Sequence, residues 1–536
     1  MSGPLFHQIL APIAGNLPLS FLVGILPVGT VLVLLGVLRR PAWQASLAGL
    51  IVGLLVAIIG WRFPVKLAFS SALEGTAFAL WPIMWIPFNA LLLYNVTVSS
   101  GRFDGLRKWL LSSLPDDRRV VLVVIGFCFG ALLEGVAGSG TPVAICSALL
   151  ISVGWKPLDA VVITLIFDTA PVAFGALGLP VTVLGMVTHL PTNALAAMMG
   201  RQLPILAFLL PLYVMFIYGG RRSVRALWPL LLVAGGSFSI TQFLAANYIN
   251  YGVVDVLSSV VSLIVTVMFL RVWRPEYDQE FAIVSKEPRR PADAPSAFNV
   301  WLPWLLLSVI VTVWTLSDLS RIGEINVLWP ALHNAVFITI YERIYTAVWS
   351  FQPLSTGTAV LATAIATAVC TGVSPREFIR AIGRTWVQIR YTFPTVIFIL
   401  SLAYLMNYSG IAYSLGLGVA SIGMAFPVGS AFLGWMAVFL TGSDTSGNAL
   451  FGNLQVVAAR QLGLDPILFA ATNSSGGVMG KMISPQNLSI GVSTTELRGK
   501  EGLVFARTFP HSLLLTLVLA GITLVFQFVT PWVIPH

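Results

Sequence analysis

Two stretches set a carboxylate among glycine and hydroxyl residues inside sequence that is otherwise nearly hydrocarbon: "ALLEGVAGSGTPVAI" from Ala131 and "TGSDTSGNALFG" from Thr441. Two more repeat the mixture, "DTAP" at 168–171 and "TNSSGGVMGK" at 472–481, the last with a lysine. An ionisable side chain at the centre of a spanning helix costs roughly 2.5 to 3.5 kcal/mol or more, so one that is present there faces a cavity, a partner or a proton path. Glu134, Asp168 and Asp444 are the candidates for proton binding. Candidates for holding a small polar solute are Thr141, Thr169, Ser443, Thr445, Ser446, Asn448, Asn473, Ser474 and Ser475, together with Ser139 in the glycine knot. Lys481 could neutralise an organic anion or pair with an acid such as Asp444.

Each has a plainer reading. Glu134 could cap a broken helix tip, Asp444 could be an N-cap, and Lys481 could snorkel to the membrane edge. Some of the hydroxyls would only satisfy backbone freed by helix breaks. His189 and His333 read as segment ends, and Trp81, Trp85 and Trp301 as interface or packing residues.

The elements that must position these groups are membrane helices. The chain has 536 residues, 57% hydrophobic and 10% charged, far below the roughly 25% charge of a soluble domain. Apolar segments run from 17–38 to 510–533, among them 326–340, and predict about 12 to 14 spans. The net charge of +9 is gathered in short clusters, at 38–41, 102–119, 219–225, 271–290, 376–390 and 496–507. That pattern points to cytoplasmic loops rather than to nucleic acid, and both termini then face outward. The first eighteen residues hold no Lys or Arg, so the first helix is expected to stay as an anchor rather than be cleaved. Cys128, Cys146 and Cys370 lie in apolar runs and read as small core residues, not as a disulfide set or a metal site.

The two halves resemble each other. "NVTVSSG" ending at Gly101 matches "LMNYSG" ending at Gly410, "GSGTP" matches "GSDTS", and "DTAP" matches the hydroxyl-rich stretch near 473. Basic residues follow Gly101 but none lies between 410 and 435, so the copies are expected to be inverted, as in many secondary transporters. The organisation read from this is 1–63, N-terminal helices; 64–190, repeat 1; 191–270, connecting helices; 271–299, a cytoplasmic linker; 300–373, connecting helices; 374–495, repeat 2; and 496–536, a cytoplasmic segment and C-terminal helix. The expected fold is an all-α polytopic bundle in which each repeat holds a re-entrant hairpin and a discontinuous helix, broken at "GSGTP" and "DTAPVAFG" and at "GSDTSGN" and "TNSSGGVMGK".

The segments "GFCFGALLEGVAGSGTPVAI", "DTAPVAFGALGLPV", "GRQLP", "WPLLLVAGGSFSITQF", "FQPLSTGTA", "TGSDTSGNALFGNLQVV" and "NSSGGVMGKMISPQ" resemble the bacterial L-lactate permease family from about 60 to 515. The resemblance implies a proton-coupled importer of L-lactate, glycolate and related 2-hydroxy acids in the plasma membrane, moving by an elevator mechanism. It also groups the chain with symporters whose paired Ser-Asn-Thr tips bind ion and carboxylate. Asp168 stands where that family pattern has Asn, and Ser139 where it has an aromatic. Protons, membrane lipid and a second copy in a homodimer are the expected partners, with no cofactor. The alternatives are a cation/proton antiporter and a sodium-coupled carboxylate transporter. No haem, flavin, nucleotide-binding or nucleophile signature supports an enzyme.

Overall fold

A computed structural model describes residues 5–38, 40–138, 140–283, 297–493, 495–497 and 500–535. Among these, nine helices are long and apolar enough to cross a membrane, or ten if one bent pair counts as a span. This is fewer than the 12 to 14 expected, because several apolar segments form helices that are too short. Pro142–Ser152, Phe298–Trp314, Thr356–Thr371 and Ile411–Ala420 are shorter apolar helices of this kind. The longest helix, Thr192–Leu244, contributes two passages. Its backbone leaves helical geometry at Gly220, at φ 69°, and a Cβ at Gly235 would touch the Phe208 carbonyl, so the arms lie antiparallel.

The site is carried by ten helices: α1 (Gly130–Ala137), α2 (Thr141–Ser152), α3 (Pro157–Phe167), α4 (Gly175–Thr188), α5 (Thr192–Leu244), α6 (Val254–Val272), α7 (Phe426–Thr441), α8 (Asp444–Gln461), α9 (Pro466–Lys481) and α10 (Pro485–Ser493). Local sequence sets their ends. Proline stands in the first turn of α2, α3, α7 and α9, where its missing N–H costs nothing. Asp465 caps α9 by accepting from Ile467 N and Leu468 N at 2.8 and 3.1 Å. Left-handed glycines close the tips, Gly140 before α2 and Gly442 between α7 and α8.

The first copy is broken at "DTAP" as expected, with the two parts of that segment bent by 60°. The second is not broken at "TNSS". Helix α9 runs unbroken through 472–481, and the break falls after it, at 482–484. Its glycines serve close packing instead. A Cβ at Gly476 or Gly480 would collide with the carbonyl of Ala431 or Trp435 on α7.

The apolar stretch 326–340 is not a helix. Its Val and Ile residues are interrupted by Trp329-Pro330 and His333-Asn334, and it forms strands at one end of the bundle. β2 (Ile325–Leu328) pairs antiparallel with β5 (Val348–Phe351), while β3 (Val336–Ile338) joins β1 (Phe6–His7) and β4 (Arg343–Ile344). Of the polar stretch 271–299, the part up to 283 is anchored. Asp278 meets the wholly buried Arg119 at 3.4 Å, and Arg119 also pairs with Asp117 at 2.7 Å. Residues 284–296 lie outside the described set. Cys128 and Cys146 are buried, but Cys370 is exposed on its helix, contrary to its reading as a core residue, because that helix turns one face outward.

Candidate functional site

Lys481 ends α9, and its ammonium lies 2.6 Å from Glu134 Oε1 and 3.2 Å from Asp168 Oδ2. Both acids and the lysine are at most 6% exposed. Three elements therefore converge on one cation: α1 brings Glu134, the break after α3 brings Asp168, and α9 brings the lysine. The backbone is shaped for this contact. A Cβ at Gly175 would come within 2.9 Å of Glu134 Oε1, so the start of α4 packs directly on the carboxylate. Just beyond, Ala176 and Leu177 hold left-handed backbone, a conformation that costs energy and tends to collect at working sites. Among the described residues, no hydrogen-bond donor meets Glu134 Oε2 or Asp168 Oδ1.

A second polar group forms where α8 begins. Ser443, not Asp444, is the N-cap, accepting from Ser446 N. Asp444 is the first helical residue, and its Oδ2 accepts from Ser474 Oγ at 2.5 Å. Asn448 Nδ2 lies 3.1 Å from Ser474 Oγ and 3.2 Å from the Pro180 carbonyl of α4. Asn473 donates to Asn448 Oδ1 at 2.9 Å and accepts from Gln455 at 2.8 Å. Ser475 donates to Gln202 Oε1 at 2.8 Å, and Gln202 donates to Thr472 at the same distance.

Both groups border one cavity of about 1730 Å³. Glu134, Ser443, Asp444, Thr445, Ser446 and Lys481 are on its wall, as are Arg40, Gln388, Tyr391 and Glu501. The wall thus reaches from the acids to residues of the basic stretches 38–41, 376–390 and 496–507.

The expected residues thus divide. Glu134, Asp168 and Lys481 form one ionic cluster, and Asp444 sits apart from them with the hydroxyls. Ser443, Thr445 and Ser446 reach the cavity. Asn448, Asn473, Ser474 and Ser475 are wholly buried in the network behind the wall. Thr169 donates to the Ile166 carbonyl at 2.7 Å, a local bond. Ser139 and the side chain of Thr141 lie outside the described residues. Asp255, Gln202 and Gln455 were missed. The acid in "YGVVDVLSSV" satisfied the same rule that found Glu134, but no glycine or hydroxyl knot drew attention to it. The two amides lie within the quoted segments "GRQLP" and "GNLQVV", but no spacing there sets them apart.

The sequence profile of the L-lactate permease family matches residues 20–530. The glycolate permease GlcA of Escherichia coli strain K12 is 40% identical over 543 aligned residues, covering 96% of this chain and 97% of that protein. The L-lactate permease of Salmonella typhi is 39% identical, with 97% and 98% covered. That of Bacillus subtilis strain 168 is 38% identical, with 98% and 99% covered. Among solved structures, Neisseria gonorrhoeae MtrF, described as illuminating a class of antimetabolite efflux pumps, aligns at a TM-score of 0.51. It covers 93% of this chain and 97% of that one at 13% identity, a likeness of fold alone.

Proposed function

The chain belongs to the L-lactate permease family, and from that premise we propose that it imports L-lactate, and glycolate with it, together with a proton. It is a permease rather than an enzyme, and it crosses the bacterial inner membrane many times.

One observation carries the proton coupling: two buried carboxylates share a single ammonium. A third carboxylate, from the substrate, enters such a site only if negative charge is removed. Protonating Glu134, which faces the cavity, frees one side of Lys481 for the lactate carboxylate, and the charge around the lysine stays constant. Ser443, Thr445 and Ser446 supply hydrogen-bonding groups for the 2-hydroxyl, and the start of α8 adds the positive end of a helix. Electroneutral loading matters because an anion moved inward alone works against about 2.3 kcal/mol per charge per 100 mV.

A cavity whose wall includes Arg40 and Glu501, from the basic stretches expected in the cytoplasm, fits an inward-facing state, ready to release its load. The two tips carried by α1/α2 and α7/α8, with landmark glycines Gly101 and Gly410 both left-handed, support inverted repeats. Release and return would then follow from movement of the tip-bearing helices against the rest of the bundle.

The test is uptake of labelled L-lactate into proteoliposomes under an imposed pH gradient, without sodium. The unaltered protein should accumulate lactate and lose that ability with a protonophore. Glu134→Gln should abolish net accumulation but retain lactate exchange, because a permanently neutral side chain still lets the loaded carrier shuttle. Normal accumulation by that variant would defeat the role of Glu134, and sodium-dependent uptake would defeat proton coupling.

A further inference from the structure

We propose that Asp255, in the first turn of α6, is a second proton-binding carboxylate of the transport cycle and passes its proton to Glu134. This role rests on the lactate–proton reading above.

Asp255 is 1% exposed, and among the described residues no hydrogen-bond donor meets either of its carboxyl oxygens. An aspartate in a first helical turn ordinarily serves the free N–H groups there. Here the cap position is Val253, without a side-chain cap bond, and no N–H reaches the acid. A structural reading therefore leaves it without a task. A buried carboxyl group that no donor reaches is free to hold and hand on a proton.

Its position joins it to the site. The ideal Cβ of Gly135 would lie 2.8 Å from Asp255 Cβ, so α1 and α6 touch one residue from Glu134. The charged groups acting on Asp255 are Glu134, Asp168 and Lys481. The neutral titratable groups on adjoining elements are Tyr251 just before α6 and Cys128, bonded to Ser262 two turns along. Glu134 is on the cavity wall and Asp255 is not, so Asp255 lies behind the residue that exchanges with the cavity. Glu134 Oε2 is the unpartnered oxygen of that acid and the natural acceptor. In the transfer, the O–H bond of Asp255 breaks and one forms on Glu134. Asp255 is left as a carboxylate, which regains its proton from the opposite side when the cavity has closed.

The experiment uses the full chain in proteoliposomes, with Asp255→Asn and Asp255→Glu compared by net uptake, exchange and the external-pH profile of uptake. Asp255→Asn should lower gradient-driven uptake by roughly tenfold or more, while exchange stays within about twofold of the unaltered protein. Asp255→Glu should restore uptake with a displaced pH profile, which a purely structural role would not produce. Gradient-driven uptake by Asp255→Asn equal to that of the unaltered protein would overturn this role alone. So would loss of both exchange and uptake, which would assign the residue to packing. If the unaltered protein shows no gradient-driven uptake, the symport reading falls and this role falls with it.

Discussion

At the scale of the residue, Lys481 is the group on which most depends. A lysine that compensates two buried acids is expensive to remove, since each acid is left uncompensated. Lys481→Gln should therefore destabilise the protein by about 3 to 5 kcal/mol. Thermal unfolding in detergent should show that deficit; a variant as stable as the unaltered protein would mean that the lysine does not hold both acids. The acids and the lysine were legible in the sequence because each breaks an apolar run. Their partnership was not, since Glu134 and Lys481 are 347 positions apart.

At the scale of the element, the contact between α7 and α9 explains why "SSGGVMG" is not a helix break. Gly434 on α7 and Gly476 and Gly480 on α9 let the two backbones approach so closely that a methyl group would strike a carbonyl. Close backbone contact through small residues is how membrane helices associate when apolar burial offers no drive. Gly480→Ala should lower stability by about 1 to 3 kcal/mol through overpacking, read as a fall in the unfolding temperature in detergent. Gly521→Ala, in the helix Glu501–Phe528 with nothing within 4 Å of its added methyl, should be neutral or slightly stabilising. Equal effects at both sites would remove the packing explanation. A glycine pair in an apolar run reads alike as a break or as a contact, and only the neighbouring helix distinguishes them.

At the scale of the whole molecule, the charge pattern sets a topology that labelling can check. Residues 411–416 are buried, so the useful reporter is Met424, 75% exposed in the turn before α7. In a Cys370→Ala background, Met424→Cys should react with a membrane-impermeant maleimide added outside. Tyr277→Cys, in the anchored part of the 271–283 segment, should react only after permeabilisation. Labelling of both from one side would sink the inverted arrangement. The exposed apolar side chains, such as Leu22, Ile59, Phe69 and Val369, are the surface that lipid would cover.

The sequence alone determined that this is a polytopic membrane protein, because composition and run length are properties a chain shows without folding. It also determined which polar groups matter, because an acid in hydrocarbon is costly wherever the helix goes, and the motifs sufficed to identify the family. What only the tertiary structure decided is which apolar helices face lipid and which face protein. Ala42–Gly60 and Arg118–Val136 are comparably apolar, yet of the 18 most apolar consecutive residues in each, 33% are buried in the first and all in the second. Hydrocarbon tails and a leucine core make the same demand on a side chain, so hydropathy cannot separate them. For the same reason the sequence could not say that Lys481 joins Glu134 and Asp168 while Asp444 joins Ser474. Those pairings depend on where the breaks after α3 and α9 aim the chain, and that direction is set by packing between helices far apart in sequence.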